Sequence, residues 1–226
     1  MAGARHGADA ALTQRRGGIP TGLLGGSFNP AHGGHRDISR FAIEALTLES
    51  LWWLVSPGNP LKSADDMAPL PARFGSALNQ ARRSPIRPTV IERDLGTRYT
   101  VDTLRQLMRR YPNRRFIWIM GADNLAQFHR WKAWRDIARM MPIAVVARPG
   151  YDGKAMAAPA VAWLRRFVRR TDQSRHWTRW SRPALVRLYF RADPRSATAI
   201  RRAHPHWYRA YAGRRLRDPV TRHIVD

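Results

Sequence analysis

Short apolar runs and helical patterns alternate along the chain from Ile19 onward. An apolar run bounded by glycine, proline or polar turn residues indicates a β-strand, whereas apolar residues that recur at helical spacing indicate a helix. The pattern predicts strands at 19–24, 51–55, 88–91, 116–120, 143–147 and 185–190, and helices at 35–46, 71–82, 101–110, 134–141, 157–170 and 196–203.

This alternation predicts the fold class. Strands that alternate with helices form a parallel sheet whose two faces are both covered by helices. A length of 226 residues suits one domain with a full core. We therefore predict a single Rossmann-like, doubly wound α/β domain over residues 19–226. Residues 1–18 are rich in Ala, Gly and Arg and lack a hydrophobic period, so they are predicted to be a disordered extension or a mistaken start.

Cysteine is absent, and the apolar runs stop well short of membrane-spanning length. A disulfide framework and a cysteine-based metal site are thereby excluded. The N-terminal arginines Arg5, Arg15 and Arg16 have no apolar segment behind them, which argues against a secretory signal. These features predict a soluble, cytoplasmic protein with no membrane partner.

The formal net charge is +24. One interpretation is attraction to polyanions, either nucleic acid or phosphate-rich small molecules. The other is a bias in coding, because 37 of the 40 basic residues are arginines and only Lys62, Lys132 and Lys154 are lysines. Zinc-finger, RNP and basic-heptad patterns are missing from the chain, so we expect no nucleic-acid partner.

Ligands of such sheets bind at the carboxyl ends of the strands. The candidate site is therefore the set of loops that follow strands. These loops are residues 25–35, 56–62, 121–124, 148–150 and 193–201.

The loop after the first strand carries the most information. Gly25 and Gly26 allow a tight turn and a close approach of the backbone to a ligand. His32 and His35 are three positions apart at the predicted start of a helix, so both imidazoles project to one side and can donate to phosphate oxygens. The alternatives are accidental spacing and a metal site, which would need a third ligand. The segment is neither a Walker A loop nor a GxGxxG fingerprint.

In this strand–loop–helix setting, the string GGSFNPAHGGH at 25–35 resembles the HxGH motif of the nucleotidyltransferase superfamily, in the version found in bacterial nicotinate-nucleotide adenylyltransferases. The resemblance extends over about residues 19–203. It includes SPGNPLK at 56–62, the YTxxTL-like segment at 99–104, the GxD turn at 121–123, Trp131, the RPG turn at 148–150, and SATAIR at 196–201, which is similar to ISxTxIR. Arg195 and Ala147 stand where that family has Ile and a first Arg.

The resemblance implies transfer of AMP from ATP to nicotinate mononucleotide, giving nicotinate adenine dinucleotide and pyrophosphate. It implies Mg²⁺ carried by the ATP phosphates, with no dedicated protein metal site. His35 would donate to the α-phosphate, His32 would bind the phosphate chain, and Arg201 would hold the leaving phosphates. The implied catalytic residues are His32, His35 and Arg201; the implied ATP-binding residues are Gly25, Gly26, Ser27, Phe28, Lys62, Asp123, Arg148, Ser196 and Thr198; and the implied pyridine-nucleotide-binding residues are Tyr99, Thr100 and Trp131.

Other interpretations of single residues stay open at this stage. Asp123 and Ser196 are also candidate helix caps, as is Thr100. Trp131 and Trp134 are at helical spacing and are both candidates for the core, and Arg201 is a candidate for solvated surface charge.

Rival enzymes are a phosphopantetheine adenylyltransferase, which usually has Thr at the place of His32, and a cytidylyltransferase, which usually closes with an RTxGISTT-like segment. A nucleic-acid-binding protein is the rival from another class, and it predicts steep salt dependence and indifference to His32 and His35.

Overall fold

The computed structural model of the chain describes residues 18–58, 67–147, 157–190 and 196–226. Its strands are β1 Ile19–Gly26, β2 Ser50–Val55, β3 Ile86–Thr89, β4 Arg114–Gly121, β5 Ile143–Ala147, β6 Val168–Arg169, β7 Leu185–Tyr189, β8 Leu216–Arg217 and β9 Ile224–Val225. Its α-helices are α1 Gly33–Ala45, α2 Leu70–Ala81, α3 Ile91–Asp94, α4 Thr100–Arg110, α5 Ala122–Gln127, α6 Trp134–Met140, α7 Pro159–Leu164 and α8 Ala197–Ala203. Short 3₁₀ helices span Phe128–Arg130, Arg165–Phe167, Thr171–Arg179 and Trp207–Tyr211.

Seven of the strands form one parallel sheet in the order β3-β2-β1-β4-β5-β7-β6. The chain runs outward from β1 through β2 to β3, and it then crosses back to β4 on the other side of β1. The carboxyl ends of β1 and β4 therefore flank the topological switch point, where doubly wound sheets bind ligands. The predicted Rossmann-like α/β fold is confirmed.

Both faces of the sheet are buried. Along β4, Phe116, Trp118 and Met120 enter one apolar cluster with residues of α4, α6 and α7. Ile117 and Ile119, which alternate with them, enter a second cluster with residues of α1 and α2. This alternation follows from the opposite directions of successive side chains in a strand, and it explains why helices are needed on both sides.

Two predicted elements include residues that form a different kind of element in the structure. The strand predicted at 88–91 lies at Ile86–Thr89, because the buried pair Val90 and Ile91 begins helix α3 and does not continue the strand. Apolar periodicity alone does not separate a short strand from a short buried helix. The helix predicted at 157–170 ends at Leu164 and is followed by a 3₁₀ turn and β6.

None of the helices in the described part of the chain combines the length and the apolar character that crossing a membrane requires.

Candidate active site

The turn that follows β1 is made by Phe28, whose φ of 46° lies in the left-handed region. The sequence assigned this turn to Gly25 and Gly26, and that assignment is wrong, because both residues belong to β1. Gly25 is needed for a different reason. A Cβ atom at Gly25 would lie 2.7 Å from Cη2 of Trp118 on the neighbouring strand β4, so a larger residue would push the indole away.

His32 and His35 come together at the start of α1, where His32 is the N-cap residue. Their ring centroids are 3.9 Å apart, and the backbone N–H of His32 donates to Nδ1 of His35 at 3.2 Å. Since Nδ1 accepts this hydrogen bond, the proton of the neutral His35 ring resides on Nε2. The scaffold thus makes Nε2 of His35 a hydrogen-bond donor beside the N-terminus of a helix, where anions are stabilised.

The aromatic side chains of Phe28 and Trp53 pack against His35. The buried ring of Phe28 stacks on Trp53 of β2 at 4.9 Å and lies 5.0 Å from the ring of His35. The Trp53 indole N–H donates to the Ser39 hydroxyl at 2.8 Å, and that hydroxyl donates to the His35 carbonyl at 2.7 Å. These contacts fasten the first turn of α1 to β2 and restrict the orientation of the His35 ring.

Arg73 of α2 is a buried residue that sequence analysis missed. Its guanidinium donates to the carbonyl oxygens of Ser27 at 2.9 Å, Ser56 at 2.6 Å and Pro57 at 3.0 Å, and to that of Ala68 at 2.8 Å. Burial lowers the pKa of Arg73 to about 10, so the group stays charged at neutral pH. It ties the loop after β1 to the loop after β2. Among 37 arginines, no sequence signal distinguishes this one.

The segment around α8 lies against the loop after β1. Nη1 of Arg201 donates to the Asn29 carbonyl at 2.7 Å, and Nη2 of Arg201 lies 3.4 Å from Oγ1 of Thr198. Arg201 is half-buried, so the interpretation as a solvated surface charge is wrong. The Ser196 hydroxyl accepts from the backbone N–H of Ala199 at 3.1 Å, which makes Ser196 the N-cap of α8.

Asp123 follows β4, in the exposed first turn of α5. The interpretation of Asp123 as the helix cap is wrong, because Gly121 occupies the N-cap position. A Cβ atom at Gly121 would collide with Oδ1 of Asp123, so the glycine lets the carboxylate fold back over the end of β4. This places Asp123 on the β4 side of the switch point, across from the histidine pair on the β1 side.

Tyr99 and Thr100 begin α4, with Tyr99 at the N-cap; the sequence assigned that position to Thr100, and this is wrong. Lys132 connects them to the neighbouring loop, since its Nζ lies 4.5 Å from the centroid of the Tyr99 ring and 3.0 Å from the Asp102 carboxylate. Trp131, next to Lys132, makes T-shaped contacts with Phe128 and Trp118 at centroid distances of 5.4 and 6.1 Å. The Trp131 side chain remains partly exposed, whereas Trp134 is buried in the core.

Lys62 and Arg148 lie outside the described residues, as do Pro149, Gly150 and Arg195.

Known proteins resemble this chain over most of its length. The model of the cytidylyltransferase-like family matches residues 23–203. A protein of Erythrobacter litoralis named "Probable nicotinate-nucleotide adenylyltransferase" is 67% identical over 207 residues, which cover 92% of this chain and 94% of the relative. A protein of the same name from Parvibaculum lavamentivorans is 48% identical over 81% of this chain and 92% of its own length.

Solved structures share the fold at low identity. The nicotinic acid mononucleotide adenylyltransferase of Plasmodium falciparum complexed with APC has a TM-score of 0.57 and 12% identity, over 81% of this chain and 83% of that one. The same enzyme complexed with NaAD gives a TM-score of 0.57 at 14% identity, with the same coverage. Family model and relatives together cover most of the sequence, and the chain therefore belongs to the cytidylyltransferase-like family and, within it, to the nicotinate-nucleotide adenylyltransferases.

Proposed function

We propose that this chain transfers AMP from ATP to nicotinate mononucleotide, which gives nicotinate adenine dinucleotide and pyrophosphate. The observation that carries the proposal is the contact between His32 and His35 at the first turn of α1, directly after β1 and at the switch point of the sheet. The names of the relatives at 67% and 48% identity support the choice of substrates.

The chemistry is a displacement at the α-phosphorus of ATP. A phosphate oxygen of the mononucleotide forms a new bond to that phosphorus, the bond to the bridging oxygen of the β-phosphate breaks, and pyrophosphate leaves with the electron pair. The attacking phosphate is already anionic near neutral pH, so the reaction needs no general base. Catalysis then depends on positioning and on stabilising charge on the phosphates.

The histidine pair supplies part of that stabilisation in our proposal. Nε2–H of His35 donates to the α-phosphate oxygens, and His32 binds the phosphate chain. Gly25, Gly26, Ser27 and Phe28 shape the loop that brings these donors to the nucleotide. Support comes from the hydrogen bond that holds the proton of His35 on Nε2.

Arg201 and Thr198 bind the leaving β- and γ-phosphates in this proposal, with Ser196 at the start of the same helix. Their support is the contact of Arg201 with both Thr198 and the loop after β1. From the resemblance, Lys62 and Arg148 add positive charge around the phosphates.

The site fits a metal ion that arrives with the nucleotide. In the described ranges, His, Asp and Glu form no group of three or more that could hold a metal ion, and the groups gathered around the β1 loop are N–H donors suited to phosphate oxygens. Mg²⁺ keeps several waters and commonly binds through substrate phosphates. Bound there, it would neutralise charge on the phosphates.

The pyridine nucleotide binds on the side of Trp131, Tyr99 and Thr100 in this proposal. The partly exposed indole of Trp131 stacks on the pyridine ring, and backbone groups near Tyr99 and Thr100 read its substituent. Asp123, on the β4 side, accepts from the adenosine ribose. The Lys132 bridge between Tyr99 and the Trp131 loop supports a shared pocket.

The test is pyrophosphate release by the purified full chain from Mg-ATP, with nicotinate mononucleotide and nicotinamide mononucleotide offered in parallel. We expect release that depends on the acid, with kcat/KM for the amide lower by a factor of about 100 or more, since the NH₂ group of the amide would face a donor of an acid-selective pocket and leave that donor unpaired. Reactions without any acceptor are the control. Release with 4′-phosphopantetheine and with neither pyridine nucleotide would contradict the proposal.

A further inference from the structure

A half-buried carboxylate, Glu92, lies close to the site without belonging to any predicted role. It sits in the first turn of α3, directly after the carboxyl end of β3. Its Oε1 accepts a hydrogen bond from Oγ1 of Thr103 at 3.3 Å, and its carboxylate lies within reach of the Ser56 hydroxyl, which donates to the Gly58 carbonyl at 2.7 Å. Glu92 therefore contacts both the loop after β2 and helix α4.

Thr103 connects this carboxylate to the segment that begins α4. The side chain of Thr103 is fully buried, and its hydroxyl lies 2.9 Å from the hydroxyl of Thr97 and 3.3 Å from the carbonyl oxygen of Tyr99. Tyr99 is the residue proposed to contact the pyridine nucleotide. One side chain, that of Thr103, therefore links Glu92 to the Tyr99 carbonyl.

Each hydroxyl has a single proton and a competing acceptor. The Ser56 hydroxyl can donate to the Gly58 carbonyl, 2.7 Å away, or to Glu92. The Thr103 hydroxyl can donate to the Tyr99 carbonyl, to the Thr97 hydroxyl or to Glu92. An ionised carboxylate is the stronger acceptor, so both hydroxyls donate their hydrogen bonds to it. When the carboxylate is protonated, the hydroxyls donate to their other acceptors. An ionised Glu92 therefore favours donation by both hydroxyls to its carboxylate.

Burial raises the pKa of Glu92 to about 7, so its charge changes near neutral pH. The described charged groups on the surrounding elements are either engaged with other partners or exposed. Arg93 and Asp94 contact Ile224 and His223, Asp102 contacts Lys132 and Arg105, Arg73 binds loop carbonyls, and Arg98 is exposed.

We propose that Glu92 is a positioning residue for the pyridine nucleotide, whose ionised carboxylate holds Thr103 and Ser56 and so fixes the start of α4 against the loop after β2. This inference rests on the proposed function for the identity of the ligand. It requires no contact between Glu92 and the substrate.

The test compares wild type, Glu92→Gln and the matched control Glu44→Gln, an exposed glutamate of α1. Calorimetry measures binding of nicotinate mononucleotide and, separately, of Mg-ATP, at about pH 6 and about pH 8. The mononucleotide phosphate and the buffer also titrate in this range. Their effects are common to all three proteins, so the difference between wild type and Glu92→Gln reports on Glu92.

We expect Glu92→Gln to weaken mononucleotide binding about tenfold at the higher pH, where the wild type is ionised, and much less at the lower pH. Binding of Mg-ATP should change less than about twofold, and Glu44→Gln should match the wild type. Equal weakening for both ligands, or a wild-type profile in Glu92→Gln, would overturn the proposal.

Thr103→Val provides a second route, because it removes the hydroxyl while keeping the shape of the side chain. We expect it to weaken mononucleotide binding selectively, and the double variant to be no worse than the more affected single one. Independent, additive effects would overturn the inference even if Glu92→Gln folded poorly. Because binding is measured apart from turnover, inactivity of the wild type would refute only the proposed reaction.

Discussion

At the scale of single residues, the role proposed for His35 depends on where its ring proton resides. The backbone N–H of His32 occupies Nδ1, and the contacts with Phe28 and the Ser39–Trp53 pair restrict the ring. A donor whose tautomer and orientation are set before the nucleotide binds requires no rearrangement as charge develops in the transition state.

His35→Ala should therefore lower kcat by about 100- to 1000-fold, since one preorganised donor to the transition state is lost. The measurement is steady-state pyrophosphate release with Mg-ATP and nicotinate mononucleotide. His176→Ala, which replaces an exposed histidine of the Thr171–Arg179 helix, is the control and should retain wild-type turnover. Turnover of His35→Ala within about threefold of wild type would refute the assigned role.

At the scale of secondary-structure elements, the C-terminal hairpin of β8 and β9 holds the end of β3 and the start of α3. Oδ2 of the fully buried Asp218 accepts from the Thr89 hydroxyl and the Val90 N–H, both at 2.9 Å. Its Oδ1 accepts from the N–H groups of Val220 at 2.8 Å and Thr221 at 3.0 Å. One carboxylate thus satisfies four donors and fixes the short helix that carries Glu92.

Asp218→Ala should lower the free energy of unfolding by about 2 to 4 kcal/mol, because it leaves several buried donors unsatisfied. Urea unfolding followed by tryptophan fluorescence measures the change. Asp172→Ala, which removes an exposed ion pair with Arg170, is the control and should leave the midpoint in place. A midpoint for Asp218→Ala equal to that of the control would show that the hydrogen bonds of Asp218 contribute nothing to stability.

At the scale of the whole molecule, the sheet topology brings the loops of the site together, and the chain as a whole carries a large positive charge. Loops from β1 and β4 meet at the switch point, while Arg73 and Arg201 join loops that are distant in the sequence. The formal charge is +24, and under the first of its two interpretations this charge attracts phosphate-bearing substrates.

If that field assists substrate capture, kcat/KM for Mg-ATP should fall about three- to tenfold as NaCl rises from about 50 mM to about 500 mM, because salt screens long-range attraction. The value of kcat should change little, since charges in contact with the bound nucleotide are screened less. Sucrose at matched osmolality is the control. A kcat/KM that is independent of salt would favour the alternative that the arginines reflect coding bias.

Much of the fold and part of the site could be predicted from local pattern. The order of strands and helices follows from periodicity, and the proximity of His32 and His35 follows from their spacing at a helix start. The predicted bounds are wrong at 88–91, where a short buried helix begins, and at 157–170, where an edge strand follows a shorter helix. Packing against the rest of the fold decides which of these elements forms.

The sequence by itself determined the α/β class, the loop that carries the histidine pair and the family, because these reside in periodicity and in short contiguous motifs. Only the tertiary structure decided why Gly25 must be small, which of many arginines is buried, and that Glu92 reaches Ser56 and Thr103. The physical reason is that burial and hydrogen bonding of these side chains depend on neighbours far away along the chain, which become adjacent only when the sheet forms.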